Sequence, residues 1–560
     1  MPRWVLALSL VVVSACTPTP VLGPLECSAD GAAVQRTVDG TATVVEDCLR
    51  SRGQLCEAAA CVAPWRVGSP AFFRGTNARA TPQSLAAKAG EYDAIALRLH
   101  LEPHLETVMG VVLKPGVSAA TATQADVAAW DRGENDGLWN SLYLASQAYR
   151  YGATHDAQAL DTVKRLLHGE VLRMRITGTP GLFTRELVLP GIAGDDCPAD
   201  PASYTVSADK HDNRWVQIRQ DGCIWVVDAT SGAWTKSTKC GLTEFAGACF
   251  LDNVSKDEYA GHVFALGAVW ALVEDDGVRA TAADLLGQVA DQLVQNHLTL
   301  LDWDGRIPEH GRFYAYALDD FPGFNAAMAL GFLRLAATVT GRADLQAFYD
   351  DCLLQQSGRR DCLQQPLETP QPYTTQLSAA GLFAGTDGCQ ANFNDLSMQA
   401  LSLQDLIWFE REPAVLAAAQ RSLDVDVMRA DQPRALLKQH NAWFDFIWAA
   451  HKRLGPGSDG PAIAAVQDGI EMLQQFPASQ VQVALTTPAT YTQACLNRFN
   501  EPEGGLPRET ADRCAATYLW WGDPYSLGSC AADPTYVHPP QGYLLPYWMG
   551  RYYGFISPEL

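Results

Sequence analysis

The chain has 560 residues, of which 48% are hydrophobic and 19% are charged, so its composition is that of a globular protein and not of a disordered one. The formal net charge of −22 argues against nucleic acid, or an anionic membrane surface, as the main partner. The length allows one large domain or several ordinary ones.

The N-terminus has the pattern of an export signal. Arg3 precedes an apolar run, Val5 to Val13, that is too short to span a bilayer as a mature helix. The following VSAC resembles a bacterial lipobox with Cys16 as the lipidated residue, and the Pro-rich TPTPVLGP after it has the composition of a tether. We predict a lipoprotein signal peptide over residues 1–15 and a lipid anchor on Cys16 in the bacterial cell envelope, facing the periplasm or the exterior. An ordinary signal peptide cleaved near Ala15 is the alternative.

The cysteine content also favours export. Of the 15 cysteines, 14 remain when Cys16 is set aside, and this even number allows up to seven disulfides in an oxidising compartment. A zinc site would need tight cysteine pairs or nearby histidines, and no two cysteines are closer in sequence than Cys56 and Cys61. We therefore predict disulfides, with no metal and no cofactor.

The rest of the chain is predicted to be one tethered domain. Residues 16–65 form a tether and a Cys-rich segment, and residues 66–560 form a large helical domain with a β insert near residues 200–240. The insert is predicted because the sequence between Thr179 and Cys249 alternates and carries turn residues, which is typical of a β-hairpin or small sheet. After Thr487 the chain is rich in Pro, Gly, Trp and Tyr and is predicted to form ordered loops over one rim.

Pairs of unlike helices recur in the large domain. GLWNSLYLASQAYRYGA is apolar or small around most of its circumference, whereas AQALDTVKRLLHGEVLRM carries a single apolar stripe, so a buried helix is followed by a surface helix. Such an architectural repeat predicts a mainly α fold, an (α/α)6 toroid of inner and outer helical hairpins. The other pairs are 262–273 with 282–298, 323–339 with 343–354, 396–409 with 413–428, 441–454 with 461–476, and 542–554 with 84–109.

Four sequence stretches carry a resemblance to known proteins. Their sequences and their order along the chain are similar to those of a group of bacterial exported lipoproteins. The stretches lie between about residues 130 and 554 and are ENDGLWNSLYLASQAYRY, GTPGLFTREL, SKDEYAGHVFAL and YLLPYWMGRYYG. The resemblance implies a six-hairpin, glycosidase-like (α/α) toroid. The group has no assigned activity, so the resemblance bears on the fold more than on the reaction.

Acidic and aromatic residues cluster where the first inner helix begins. In DRGENDGLWN, Asp136 is a candidate N-cap, because its carboxylate can accept from free N–H groups, whereas capping does not account for Glu134. Trp139 and Tyr143 lie one helical turn apart and can either stack on sugar rings or pack in the core. We predict that Asp136, Trp139 and Tyr143 bind substrate.

The second inner helix begins with NVSKDEYAGHVFAL. Ser255 and Glu258 can form a capping box, and His262 lies one turn beyond Glu258, where it can carry a proton or only orient a neighbour. Glycosidases need one protonated carboxyl and one carboxylate. We predict Glu258 as the acid, oriented by His262, with Glu134 or Asp257 as the base.

Further candidate binding residues lie in the other loops that precede inner helices. A loop packed on the rim is the alternative for residues 301–325, and Asp395 can instead be a helix cap. The predicted set is Trp303, Glu309, His310, Asn325, Asp395, His440, Asn441, Trp443 and Trp521, with Glu509, Trp520, Asp523, Tyr525 and His538 as lining or lid residues.

These patterns predict a monomeric, exported carbohydrate-active enzyme, most simply a glycoside hydrolase acting on a poly- or oligosaccharide. The sequence lacks the serine-hydrolase elbow, the P-loop, the HEXXH zinc motif and the dinucleotide-binding glycine motif in a βαβ setting. A polysaccharide lyase or uronate epimerase is the alternative enzyme, and would place Tyr, His and Arg at the centre. A non-catalytic glycan-binding or envelope-structural lipoprotein is the alternative outside the enzymes.

Overall fold

A computed structural model gives the fold. The chain forms two compact units, residues 1–62 and residues 63–560. The predicted signal peptide, Cys16, Glu134 and Trp521 lie outside the described residues. The structure describes residues 21–29, 33–48, 55–62, 79–133, 135–206, 213–315, 322–356, 371–378, 383–384, 388–428, 433–451, 460–477, 480–514 and 523–560.

The N-terminal unit is a small β structure held by two disulfides. Asp39 and Gly40 both have positive φ and form the tight two-residue turn between its second and third strands. Cys27–Cys56 and Cys48–Cys61 join the hairpin at the end of the unit to the sheet before it. The antiparallel sheet contains β1 (Leu22–Cys27), β2 (Ala33–Val38) and β3 (Thr41–Asp47), and the hairpin contains β4 (Leu55–Glu57) and β5 (Ala60–Val62).

The larger unit is mainly α-helical, which confirms the predicted class. Its helices are α1 (Leu85–Ile95), α2 (Asp136–Thr154), α3 (Ala157–Arg175), α4 (Lys256–Leu272), α5 (Asp276–Gln295), α6 (Pro322–Thr340), α7 (Ala343–Phe348), α8 (Phe393–Phe409), α9 (Pro413–Arg421), α10 (Ala442–His451), α11 (Gly460–Gln475) and α12 (Gln541–Tyr552). π-helical turns extend α1 to His100, α7 to Leu353 and α9 to Met428.

Buried and partly exposed helices alternate along this unit. Every residue of α4 is buried, and α6 and α8 are buried over most of their lengths. Helix α9, by contrast, buries only Val415 and Ala419. Each buried helix contacts the exposed helix that follows it, in the pairs α2–α3, α4–α5, α6–α7, α8–α9 and α10–α11, and α12 contacts α1.

The buried helices also contact one another, at places where small residues allow close approach. Helix α2 contacts α4 and α12, α6 contacts α8, and α10 contacts α12. A Cβ added at Gly331 of α6 would lie 2.6 Å from the Ser402 carbonyl oxygen of α8. A Cβ at Gly261 of α4 would lie 2.6 Å from a methyl carbon of Leu138. Glycine at these positions sets the spacing between the helices.

Helix α1 is fastened to the last two helices of the chain. The Lys88 ammonium donates to the carbonyls of Leu473, Gln474 and Phe476 at 2.9, 3.2 and 2.7 Å, and so caps the C-terminus of α11. The Tyr543 hydroxyl of α12 donates to the Leu85 carbonyl at 2.8 Å. Residues more than 380 positions apart in sequence are therefore neighbours.

Two larger sheets flank the helices. The region predicted to hold a β insert contains a five-stranded sheet that extends beyond residues 200–240, because strands on both sides of that range pair with it. Its strand order is β11 (Trp234–Lys236), β10 (Ile224–Val227), β9 (Trp215–Ile218), β12 (Cys249–Leu251) and β8 (Glu186–Val188). The other sheet has the order β15 (Val481–Gln482), β18 (Asp533–Val537), β6 (Gly110–Leu113) and β7 (Val127–Asp131). Two-stranded ribbons pair β13 (Phe383–Ala384) with β14 (Gln390–Ala391), and β16 (Gln493–Leu496) with β17 (Pro502–Gly504).

Disulfides also join segments of the larger unit, as the cysteine count predicts. Three of them close short loops: Cys197–Cys249, Cys223–Cys240 and Cys514–Cys530. The fourth, Cys389–Cys495, spans 106 residues and ties the C-terminal loops to the start of α8. Cys352 is disulfide-bonded as well.

Helix α6 is long and apolar enough to cross a membrane by length and composition. However, 83% of its most apolar window is buried within the protein, which is typical of the core helix of a globular domain.

Candidate functional site

A cavity of about 560 Å³ lies beside the first turns of α2 and α8. Its volume is in the range of small-molecule binding pockets. The C-terminal loops form its other wall. The lining residues are Gly133, Asn135, Trp139, Ala391, Phe393, Asn394, Asn497, Arg498, Phe499, Glu501, Glu503, Asp523 and Ser526.

Three aromatic rings line this cavity. Trp139 comes from α2, Phe393 from α8 and Phe499 from the turn between β16 and β17, where 66% of Phe499 is exposed. Phe393 stacks on Tyr525 with the ring centroids 6.2 Å apart. Apolar rings with a few polar groups between them are the usual lining of a ligand pocket, and aromatic faces suit the C–H faces of sugar rings.

Three carboxyl groups lie among the aromatic rings. Glu503 is buried and forms an ion pair with Arg434, which also lies over the Tyr525 ring at 4.2 Å. Glu501 is exposed, and accepts a hydrogen bond from the Asn497 amide at 3.2 Å. Burial raises the pKa of Asp523, despite a 2.8 Å hydrogen bond from the Tyr525 backbone N–H and the nearby Arg434 charge. The cavity therefore combines an exposed carboxyl with one whose pKa is raised by burial.

A buried polar cluster supports the helix turn that carries Trp139. One oxygen of Glu258 accepts the Leu138 backbone N–H of α2 at 3.0 Å and lies 3.6 Å from His262 Nε2. The other ring nitrogen of His262 lies 2.6 Å from Glu170 of α3 and 2.9 Å from the Ser141 hydroxyl. A side chain at Gly137 would overlap this contact, since its Cβ would lie 2.9 Å from His262 Nε2.

The charges in this cluster depend on one another. Burial raises the pKa of Glu258 to about 7, although the hydrogen bond with His262 opposes the rise. Burial lowers the pKa of His262, but the Glu170 and Glu258 carboxylates outweigh it and raise that pKa to about 9. Burial likewise works to raise the pKa of Glu170, and the His262 charge outweighs it, so this pKa is lowered. His262 is therefore an imidazolium at neutral pH, paired with the Glu170 carboxylate.

Two of the predicted catalytic residues, Glu258 and His262, are thus buried in the protein. Glu258 and His262 are both 0% exposed, and the second oxygen of Glu258 has no hydrogen-bond partner among the described residues. The capping box predicted for Ser255 does not form: Ser255 is the N-cap, but its hydroxyl donates to Asp257. Asp257 also accepts the Glu258 backbone N–H at 3.0 Å. No substrate atom can reach Glu258 in this conformation.

Asp136 does not cap α2 as predicted. Asn135 is the N-cap, and Asp136, the first helical residue, forms a buried ion pair with Arg173 of α3. Arg185 then joins two helix starts, because its guanidinium donates to the Asn135 side chain at 2.6 Å and to the Asn253 carbonyl at 2.7 Å. A guanidinium neutralises the Asp136 carboxylate better than free N–H groups do, so Asp136 is engaged in holding α2 on α3.

Three predicted binding residues lie in the core. Tyr143, Asn325 and Trp443 are each 0% exposed. Asn325 accepts from the Lys256 ammonium at 2.8 Å and donates to the Tyr314 carbonyl at 3.1 Å, so it joins the start of α6 to that of α4. These side chains pack between helices, and for Tyr143 this is the core alternative to sugar binding.

The loop after α5 is built around Trp303. Its indole N–H donates to Asp252 at 3.1 Å, and the Arg214 guanidinium lies over its ring at 5.1 Å. The Glu309 backbone N–H donates to Asn253 at 2.8 Å, and His310 is exposed. This loop braces the turn before α4, and its residues are not among those that line the cavity.

The remaining predicted residues lie at the starts of α8 and α10. Asp395 accepts from the Asn392 amide at 2.6 Å, and Asn441 accepts the Trp443 backbone N–H at 3.2 Å. His440 has a φ of +51°, and its side chain is 38% exposed and lies 2.6 Å from Asp468. The hydrogen bond with Asp468 raises the pKa of His440.

The structure also reveals residues that were not predicted. Glu170 falls three residues after Leu167 on the buried stripe of α3, and a charged residue at that position is the sequence signal for a buried partner. Phe499 and Glu501 lie in a loop whose place is fixed by the Cys389–Cys495 disulfide, for which the sequence offers no local signal. Among the residues predicted for the site in the described ranges, Trp139, predicted to bind substrate, and Asp523, predicted as a lining or lid residue, line the cavity.

One group of potential metal ligands occurs in the described part of the chain. Cys389, Cys495 and a Glu503 oxygen lie within 4.8 Å of one another. The two cysteines form a disulfide with each other, so they offer no thiolate, and the grouping does not make a metal site.

Comparisons of the chain with known protein families, with curated proteins and with solved structures gave no match.

Proposed function

We propose that the protein is a glycoside hydrolase that acts on a poly- or oligosaccharide. The observation that carries this proposal is the cavity, whose lining residues include the aromatic Trp139, Phe393 and Phe499 and the acidic Glu501 and Asp523. Aromatic rings supply stacking surfaces for sugars, and a pair of carboxyls in different environments is the minimum equipment for glycoside hydrolysis.

We also infer that the helices form an (α/α)6 toroid. The buried helices contact one another in the order α2–α4–α6–α8–α10–α12, with α12 returning to α2, and α4 also contacts α8 directly and more extensively than it contacts α6. The partly exposed helices pair with them in the order expected for an outer ring. This arrangement supports the proposal because a ring of this kind gathers the loops before its inner helices around one opening.

The protein is further proposed to be an exported lipoprotein, anchored through Cys16. The signal-like residues 1–15 and the six disulfides of the described chain support export to an oxidising compartment. Replacing Cys16 by Ser should release the protein from membranes into the soluble fraction. A Cys16→Ser protein that stays membrane-bound refutes the anchor.

The buried cluster is proposed to position the site. Glu258 holds the Leu138 N–H, and the next residue, Trp139, lines the cavity. The aromatic wall of the cavity therefore depends on a hydrogen bond made by a buried carboxyl. Glu258 as the catalytic acid remains a separate prediction, which requires α2 and α4 to part before substrate can reach it.

A panel of polysaccharides tests the activity. The purified full-length protein is incubated with neutral, amino-sugar and uronate polysaccharides, and reducing ends and unsaturated products are measured. New reducing ends without unsaturated products support hydrolysis. Binding without cleavage across the panel supports the non-catalytic alternative.

A lyase or epimerase is the second candidate, and His440 favours it. This histidine is accessible, held by Asp468, and has the left-handed backbone that occurs often at functional positions. Proton abstraction beside a uronate carboxyl needs such a base. Unsaturated products from the uronate members of the panel, lost in His440→Gln, are the result expected from this candidate.

A further inference from the structure

We propose that Asp523 is the proton donor of the cavity and that Glu501 is the carboxylate that activates water there. This inference rests on the proposed hydrolase function and assigns its catalytic residues. Both side chains line the same cavity as Trp139 and Phe499, and both come from the C-terminal loops. The residues that the sequence predicts for these roles, Glu258 and Asp257, are not part of its lining.

Asp523 has the surroundings that a proton donor needs. Asp523 is half-buried at the cavity wall, and one of its carboxyl oxygens accepts the Tyr525 N–H at 2.8 Å, which fixes its orientation. Burial disfavours the carboxylate and raises its pKa, so the protonated form persists to higher pH than in an exposed aspartate. The two flanking cations, Arg434 and Arg508, act in the opposite direction but do not reverse this.

Glu501 has the opposite surroundings. It is exposed, with one hydrogen bond from the Asn497 amide at 3.2 Å, and its backbone N–H donates to the Asn497 side chain at 2.9 Å. These two bonds hold the turn that presents the carboxylate while leaving it in contact with solvent. A carboxylate open to water suits the role of accepting a proton from water.

Glu503 is the third carboxyl of the cavity and is excluded from both roles. Its ion pair with Arg434 is almost fully buried, since the two side chains are 3% and 4% exposed. A carboxylate held by a buried guanidinium remains ionised and has no proton to give. We assign Glu503 to holding Arg434 against Tyr525, which stacks on Phe393 in the wall of the cavity.

The proposed step is a single displacement by water. Asp523 gives its proton to the glycosidic oxygen as the bond from that oxygen to the anomeric carbon breaks. A water molecule forms the new bond to that carbon and gives its proton to Glu501. The products are two sugars, one with a new reducing end. Asp523 then regains a proton from solvent and Glu501 releases one, so no other reactant is consumed.

The leaving group gives the sharpest test. A natural glycosidic oxygen needs a proton to leave, whereas fluoride does not. With the oligosaccharide found in the panel, Asp523→Asn is expected to lower kcat by about 10²–10⁴-fold, the usual share of general acid catalysis. On the corresponding glycosyl fluoride, the same variant should stay within about threefold of wild type. Glu501→Gln should lower both activities, because water must be activated in either case.

Two control variants separate chemistry from folding. Asp161→Asn makes the same chemical change on the exposed side of α3, and should leave both activities unchanged. Glu258→Gln perturbs the buried cluster, and should lower the activities on both substrates to the same extent, together with the melting temperature. Retention of fluoride cleavage by Asp523→Asn shows in itself that this variant is folded.

The outcomes separate this assignment from the function on which it rests. A wild-type protein that cleaves none of the glycans overturns the hydrolase function and the assignment with it. An active wild type with Asp523→Asn within threefold on the natural substrate overturns the assignment and leaves the function standing. Equal losses on both substrates in Asp523→Asn also refute Asp523 as a proton donor.

Discussion

The buried pair of His262 and Glu170 should make the stability of the fold depend on pH. His262 carries a pKa of about 9 in place of the usual 6.5, because the Glu170 and Glu258 carboxylates outweigh the effect of burial. A raised pKa means that the protonated ring stabilises the fold. This stabilisation is complete below pH 6.5, the value in the unfolded chain, and disappears as the pH rises through about 9.

The magnitude follows from the size of the shift. A rise from 6.5 to about 9, at 1.36 kcal/mol for each pKa unit, corresponds to about 3 kcal/mol of unfolding free energy. Two other buried carboxyls also make the fold less stable over an overlapping range as they ionise, since burial raises the pKa of Glu186, on β8, to about 8 and that of Glu258 to about 7. The total pH dependence of the wild type therefore does not isolate His262.

A difference measurement removes the groups outside the cluster from the comparison. Unfolding free energies of wild type and His262→Gln are measured by urea denaturation between pH 6 and pH 10. The advantage of wild type over the variant should shrink by at most about 3 kcal/mol across this range, because loss of the imidazolium also raises the pKa of Glu170 and Glu258 in the variant, which then loses stability over the same range. His168→Gln is the matched control: His168 pairs with Glu106 but its side chain is 56% exposed, so its difference from wild type should stay small and flat.

Two results would refute the reasoning. An NMR titration of labelled His262 in the wild type with a midpoint at or below 6.5 means that His262 is not an imidazolium in the fold at neutral pH. An imidazole titration of labelled His262, followed by NMR, that shows the same midpoint in wild type and in Glu170→Gln means that the 2.6 Å contact does not stabilise the charge.

Three further predictions concern the framework. Replacing Lys88 by Met removes three hydrogen bonds from a buried ammonium and should lower the unfolding free energy by about 2–3 kcal/mol. Lys164→Met, at an exposed ion pair, is the control and should change the unfolding free energy by less than about 1 kcal/mol. Equal effects of the two variants would contradict the capping role of Lys88. Gly331→Ala should destabilise the protein by about 1–3 kcal/mol, because the added Cβ meets the Ser402 carbonyl. Gly90→Ala is the control: it has open space around it and should stabilise the protein by up to about 1 kcal/mol. If denaturant unfolding gives the reverse order, the close approach of α6 and α8 is refuted. Thiol titration of the denatured, unreduced protein should find no more than one free thiol apart from Cys16, and several free thiols would refute the disulfide framework.

The sequence predicts the helix positions, because buried residues recur with the period of a helix. The contrast between an apolar helix such as α4 and a striped helix such as α3 gave the buried and exposed classes that the structure shows. The residues that line the cavity are harder to predict from the sequence. Its wall at Phe499 and Glu501 is brought to α8 by the Cys389–Cys495 disulfide, a contact across 106 residues with no local pattern.

The buried cluster shows a different limit of sequence reasoning. The spacing of Glu258 and His262 on one helix predicts that they interact. It does not predict whether they are exposed, because the same spacing occurs in grooves and in buried cores. The third member, Glu170, belongs to another helix and became visible only in three dimensions. Asp136 was assigned to capping, whereas a buried guanidinium from α3 takes up its carboxylate.

The packing of α12 against α1 and α2 has a consequence for how the chain is made. The ribosome makes α2 some 400 residues before α12, so the face of α2 that packs on α12 has no partner during most of synthesis, although α3 and α4 contact other parts of α2 earlier. Native contacts that span most of the chain form slowly, and the waiting chain is prone to aggregate. Apolar surface left open in this way is the kind that chaperones bind. The last helix therefore acts in time as well as in space, because the packing of α2 is complete only when α12 has been made.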